Sequence, residues 1–148
     1  MEASTDSPHV RNGDGWSAAH LDDLGDGPGF RKVRSALGVN AFGVNAIVLP
    51  PRIETGFHFH DEQEELYFVH RGAIEMEFGD GTIETISEGG LVWVDAPTPR
   101  KIRNPGDAEA VYVIVGGKGG YVGRDGRVPE GEEDRVRALH DLRGSDEG

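Results

Sequence analysis

The chain has no cysteine, no long apolar run, and only 15 lysines and arginines against 27 aspartates and glutamates. Without cysteine it can form neither a disulfide framework nor a thiolate zinc site, which fits a cytoplasmic protein. The formal net charge of −12 makes nucleic acid a poor partner, because phosphate binding needs clustered Lys and Arg. The same charge disfavours anionic membrane surfaces. No segment approaches the roughly 20 apolar residues of a membrane span. The stretch Met1–Gly15 is polar and lacks the apolar centre of a secretory signal. A length of 148 residues fits one domain with a proper core.

What the chain does have is glycine, 23 residues of it, about twice the average usage of roughly 7%. Short apolar runs lie between the glycines. Residues 1–15 read as a disordered tail and 16–29 as a packing segment around Trp16, Leu21 and Leu24. Strands are expected over 30–37, 41–49, 57–60, 65–70, 73–78, 82–87, 91–94, 100–103 and 110–115. Gly79-Asp80-Gly81 marks a hairpin, and Pro50-Pro51 ends a strand because proline donates nothing to a ladder. Residues 117–148 read as a Gly-rich linker followed by a short helix, with Val136, Leu139 and Leu142 at helical spacing. Roughly nine short strands with regular turns imply an all-β antiparallel sandwich or barrel. Strands 41–49 and 110–115 are apolar on both faces. One sheet is therefore expected to be covered by the N-terminal segment, the C-terminal helix or a second subunit, and a homodimer through that sheet is the favoured arrangement.

The chemistry concentrates in Gly56-Phe57-His58-Phe59-His60, with Glu64 and Glu65 shortly after. Two histidines one residue apart share a strand face, because strand side chains alternate. Two imidazoles and a carboxylate suit a divalent transition metal. The competing reading is a pair of histidines hydrogen-bonded in a polar cavity.

With Gly72 the pattern His58, His60, Glu65, Gly72 resembles the first motif of the cupin superfamily, the small double-stranded β-helix or jelly-roll barrels. The leading glycine of that motif is replaced by Arg52. The second motif is matched by Gly89 and Asn104, with Asp95 and Pro97 at its proline and glycine positions. Arg100 stands where the family has its fourth metal ligand, a histidine. The resemblance implies a jelly-roll barrel over 30–116. It also implies a metal (Fe, Mn, Ni, Co or Zn) on His58, His60 and Glu65, and a small organic ligand in the barrel. Its spacing selects Glu65 over Glu64. Cupins include dioxygenases, isomerases, decarboxylases, storage proteins and ligand-sensing domains, so the fold leaves open whether chemistry occurs.

Arginine has five donors and no lone pair for a metal. Three placements are open for Arg100. It stands aside and anchors an anionic substrate group, it pairs with Glu65 and fills the place of the metal, or it lies on the barrel rim. Parity puts Tyr67 and Val69 on the face of Glu65, and Leu66, Phe68 and His70 on the other. Tyr67 thus lines the cavity or joins the core. Gln63 lies in the loop at the mouth, either bonding a ligand or a metal-bound water, or simply solvated. Asp95 reads as a turn residue before Ala96-Pro97 or as a general base near the cavity, and Asn104 as a turn residue. Lys118 and its neighbouring glycines show no P-loop pattern and read as a flexible exit. His9, His20 and His140 receive no role.

Overall fold

A computed structural model of the chain describes residues 9–123 and 125–129. A short hairpin comes first, β1 (Arg11–Gly13) with β2 (Trp16–Ala18). It includes residues expected to lie in a disordered tail. A 3-10 turn at Leu21–Asp23 leads to β3 (Gly29–Arg31) and then α1 (Val33–Leu37). The strand expected over 30–37 thus ends early. Gly38 caps the helical turn in the left-handed region, φ 79°, its N–H reaching back to the Arg34 carbonyl.

The remaining elements are β4 (Gly43–Leu49), β5 (Phe59–His60), β6 (Glu64–Arg71), β7 (Ala73–Phe78), β8 (Ile83–Ser87), β9 (Leu91–Val94), β10 (Arg100–Arg103), β11 (Ala110–Gly117) and β12 (Gly126–Arg127). They follow the expected strands closely, except that β12 falls inside the expected linker. The helix expected near the C-terminus lies outside the described residues. Among those residues no helix is long and apolar enough to cross a membrane.

Every pairing is antiparallel. Five strands form one sheet in the order β3-β4-β11-β6-β9, and three form another in the order β10-β7-β8. The strands β12 and β5 make a two-stranded ribbon. A single core draws on both large sheets: Ile47, Leu49, Tyr67, Val69 and Tyr112 from one, Ile74, Met76, Ile86 and Ile102 from the other. This is the all-β antiparallel barrel expected from the sequence. Ala46 and Val48, on the far face of β4, are buried as well. The cover over β4 comes in part from α1, which lies beyond the expected packing segment 16–29.

Two turn positions explain the motif spacing. Gly72 joins β6 to β7 at φ 77°, and a Cβ there would lie 3.1 Å from the Glu109 carbonyl oxygen and 3.2 Å from the Ala110 Cα. Both conformation and space require glycine. Arg52, in the place of the motif's first glycine, is the non-glycine residue with positive φ (67°) among the described residues. The backbone there keeps the glycine geometry although the residue has changed.

Candidate metal centre

His58 and His60 enter the barrel on either side of Phe59, and Glu65 is the second residue of β6, which follows the loop 61–63. Parity along β6 is as expected: Glu65, Tyr67 and Val69 are buried, while Leu66, Phe68 and His70 are exposed. Gly116 stands opposite Glu65 on β11, and a Cβ there would meet the Glu65 Cγ at 3.2 Å and the Gln63 Oε1 at 3.3 Å. The missing side chain leaves room for the carboxylate to turn inwards.

The three side chains converge, with one ligand atom of each within 4.8 Å of the others. His58 Nε2 lies 3.9 Å from Glu65 Oε1, and His60 Nε2 lies 3.1 Å from Glu65 Oε2. The two rings meet edge to face, centroids 5.3 Å apart. Tyr67, wholly buried, donates its hydroxyl hydrogen to Glu65 Oε1 and so holds the carboxylate from its inner side. His58 is the open member, its side chain 29% exposed against 9% for His60 and Glu65.

The chemistry of His60 tests the fit of a cation. Its Nδ1 lies 2.9 Å from the Asp125 carboxylate, which has only acceptors, so Nδ1 carries a proton. Its Nε2 is buried and, despite the 3.1 Å approach to Glu65, has no hydrogen bond of acceptable geometry. A neutral ring would thus face a carboxylate with its lone pair. Only a second proton or a metal ion between the two atoms relieves that contact. The donor set and the orphaned nitrogen therefore fit a divalent cation.

The electrostatics agree with this picture. Burial lowers the pKa of His58, only partly offset by Glu65. Burial also opposes charge on His60, but Glu65 and Asp125 together outweigh it and raise its pKa. Burial would raise the Glu65 carboxyl, yet its close approach to His58 and His60 pulls it far below the usual carboxylate range. The Tyr67 phenol is pushed well up, by burial first and then by the Glu65 charge.

Arg100 is the largest fully buried side chain, with 0% exposure, so it is not on the rim. Its backbone pairs with that of His58, which sets both side chains on one face of the ladder. Its Nη2 donates to the Asp95 carbonyl at 2.9 Å, while Nε and Nη1 have no partner. It forms no ion pair with Glu65, whose side-chain partners are Tyr67, His58 and His60. Its charge lowers the pKa of both histidines.

Gln63 sits 3.2 Å from His60 Nδ1, close to the candidate ligands rather than free in solvent. Asp95 accepts from the Ala96 N–H through its own side chain, as a turn residue does. Asn104 ties the Leu49 and Ala108 carbonyls and accepts from the Gly106 N–H.

Asp125 was not visible in the sequence. It lies in the expected linker, yet its side chain is buried and also accepts from the backbone N–H groups of Glu62 and Gln63, both at 2.9 Å. Burial opposes its charge, but those N–H groups and His60 keep its pKa below the ordinary value. Its only signal was an Asp-Gly step, Asp125-Gly126, which is too common to single out.

A protein-family model described as Cupin domain matches residues 46–116, a span that holds all three candidate ligands and Arg100. Among solved structures, a sugar phosphate isomerase of the cupin superfamily from Silicibacter pomeroyi is 27% identical, with a TM-score of 0.57 over 80% of this chain and 76% of that one. A cupin protein from Bacteroides fragilis is 17% identical, with a TM-score of 0.61 over 71% of this chain and 86% of that one. A DMSP lyase from Ruegeria pomeroyi is 21% identical, with a TM-score of 0.54 over 62% of this chain. The chain spans 46% of that lyase and 44% of another DMSP lyase chain. The Bacteroides and Ruegeria likenesses bear on fold alone. No curated protein matches the chain.

Proposed function

The chain belongs to the cupin superfamily, and on that premise we propose that it holds a divalent transition metal on His58, His60 and Glu65 and binds a small anionic organic ligand beside it. The observation that carries this reading is the convergence of His58, His60 and Glu65, with the orphaned His60 Nε2 against Glu65 Oε2, a contact that a metal ion or a second proton would relieve. The partly exposed His58 supports access from outside. When bound, such a metal would act as a Lewis acid or activate water or oxygen on a chelating substrate.

Arg100 is the anion anchor in this reading. A buried guanidinium with two unsatisfied nitrogens and no carboxylate partner is costly. An anionic ligand group would supply both the missing charge and the missing acceptors. Tyr67 holds Glu65, and Gln63 contributes an amide at the loop. The likeness to a protein named as a sugar phosphate isomerase favours isomerase-type over oxygenase-type chemistry on an anionic substrate.

A second reading keeps the anion and drops the metal: a binding module in which Arg100 takes the place of the cation. The unsatisfied guanidinium favours the anion in this reading too, while its bond to the Asp95 carbonyl, away from Glu65, speaks against its sitting in the cation's place. Elemental analysis of protein stripped with chelator and dialysed against Fe, Mn, Ni, Co or Zn separates the two. The metal reading expects about one ion per chain, and the second expects none.

We also propose a homodimer through the five-stranded sheet. Leu66 and Phe68 on β6 pair across the ladder with Trp93 and Leu91 on β9, and all four are exposed on its outer face. An apolar patch beside an edge strand is a candidate subunit contact.

A further inference from the structure

The segment that follows the barrel returns to it at the candidate ligands. Gly126 pairs with His60 and Arg127 with Phe59. The Asp125 carbonyl accepts from the Asp61 N–H at 3.1 Å, and the Arg127 guanidinium meets the Asp61 carboxylate at 2.6 Å. One Asp125 oxygen takes His60 Nδ1, and the other takes the N–H groups of Glu62 and Gln63. The loop 61–63 is thus held at each of its residues, and it is the loop that separates His60 from Glu65. The returning segment itself, Asp125 to Arg127, lies outside the span 46–116 that matches the family model.

We propose that Asp125 is a positioning residue for the metal centre, fixing the His60 proton on Nδ1 and setting the spacing of His60 Nε2 from Glu65. The inference rests on the metal reading above. The physical reason is that an imidazole binds a metal through one nitrogen only if the other carries the proton. A carboxylate on that second nitrogen fixes the tautomer, orients the ring and raises its basicity. Asp125 does this while its second oxygen neutralises two loop N–H groups, so ring orientation and loop shape are set by one side chain. Gln63 presents its amide Nε2, a donor, 3.2 Å from the same nitrogen, so it cannot accept the Nδ1 proton and Asp125 is the acceptor.

Titration with Co2+, followed by its visible absorption, tests the proposal on the full chain. Asp125→Ala is expected to weaken binding by about 10- to 100-fold. Asp125→Asn, which keeps an acceptor for Nδ1, should fall between it and the wild type. At saturation the variants should show a changed Co2+ spectrum, which a role in stability alone would not produce. Should the variants fail to fold, long-range 1H–15N spectra of the wild-type imidazoles decide: His60 Nδ1 is expected to be protonated with and without Zn2+. Binding of Co2+ by Asp125→Ala as tight as by the wild type, with the same spectrum, would overturn the proposal, as would an unprotonated Nδ1. A wild type that binds no ion would instead sink the metal reading and this inference with it.

Discussion

His58 and Arg100 exchange both backbone hydrogen bonds, each at 2.9 Å, so a metal-type histidine and a buried arginine are direct cross-strand neighbours. In the second cupin motif the arginine position carries a histidine. The side chain that would complete the ligand set is therefore present in position and absent in chemistry. A unit charge pair at ~4 Å in an effective dielectric of about 20 is worth roughly 4 kcal/mol, and a divalent ion feels about twice that as repulsion. Arg100→His should remove this repulsion and add a ligand. Metal affinity is expected to rise at least tenfold in calorimetric titration. An unchanged affinity would mean that Arg100 lies too far from the ion to matter.

Loss of the anion anchor should show separately. Arg100→Met keeps the bulk and removes the charge. Binding of small carboxylates or phosphate esters, read by calorimetry, should fall strongly while the metal remains bound. A variant that binds such anions as well as the parent would assign Arg100 a packing role alone.

The acid limb of stability should depend on Glu65. Its folded-state pKa is lowered, so it contributes stability that is fully present above the unfolded carboxylate value of about 4.3 and lost as pH falls towards the folded value. In metal-free protein, Glu65→Gln is expected to show a shallower loss of stability between about pH 4 and pH 2 in urea unfolding. Parallel curves for variant and parent would contradict the assignment.

Arg52 holds a left-handed backbone that glycine adopts freely. Its ion pair with Asp107 is exposed at both ends and adds little. Arg52→Gly is therefore expected to stabilise the fold by about 1 kcal/mol in denaturant unfolding. A loss of stability would show that the surface pair outweighs the backbone strain.

The patch formed by Leu66, Phe68, Leu91 and Trp93 is the proposed dimer contact. A double change of Leu91→Glu and Trp93→Glu places like charges at the contact. Sedimentation equilibrium should show a dimer for the parent and a monomer for the variant. A monomeric parent would remove this part of the proposal.

The inward and outward faces of β6 were legible because alternation is a property of any strand: Glu65, Tyr67 and Val69 against Leu66, Phe68 and His70. Gly72 was legible through its spacing in the motif, and its left-handed backbone is the physical reason that a glycine stands there. The end of β3 was not, since a five-residue helical turn leaves too little periodicity to oppose a valine and a leucine. The depth of Arg100 was not legible either. A charged side chain is normally exposed, and its burial depends on cross-strand pairing with His58. Asp125 was hidden for a different reason: it meets His60 from 65 residues away through a strand only two residues long.

The central claim is a cation among His58, His60 and Glu65 with Arg100 standing aside. Anomalous scattering from crystals grown with Zn2+ or Mn2+ tests it most directly. The account predicts one strong peak within coordination distance of His58 Nε2, His60 Nε2 and a Glu65 oxygen, with the Arg100 guanidinium still bonded to the Asp95 carbonyl. Density for the guanidinium against Glu65, with no anomalous peak, would contradict it.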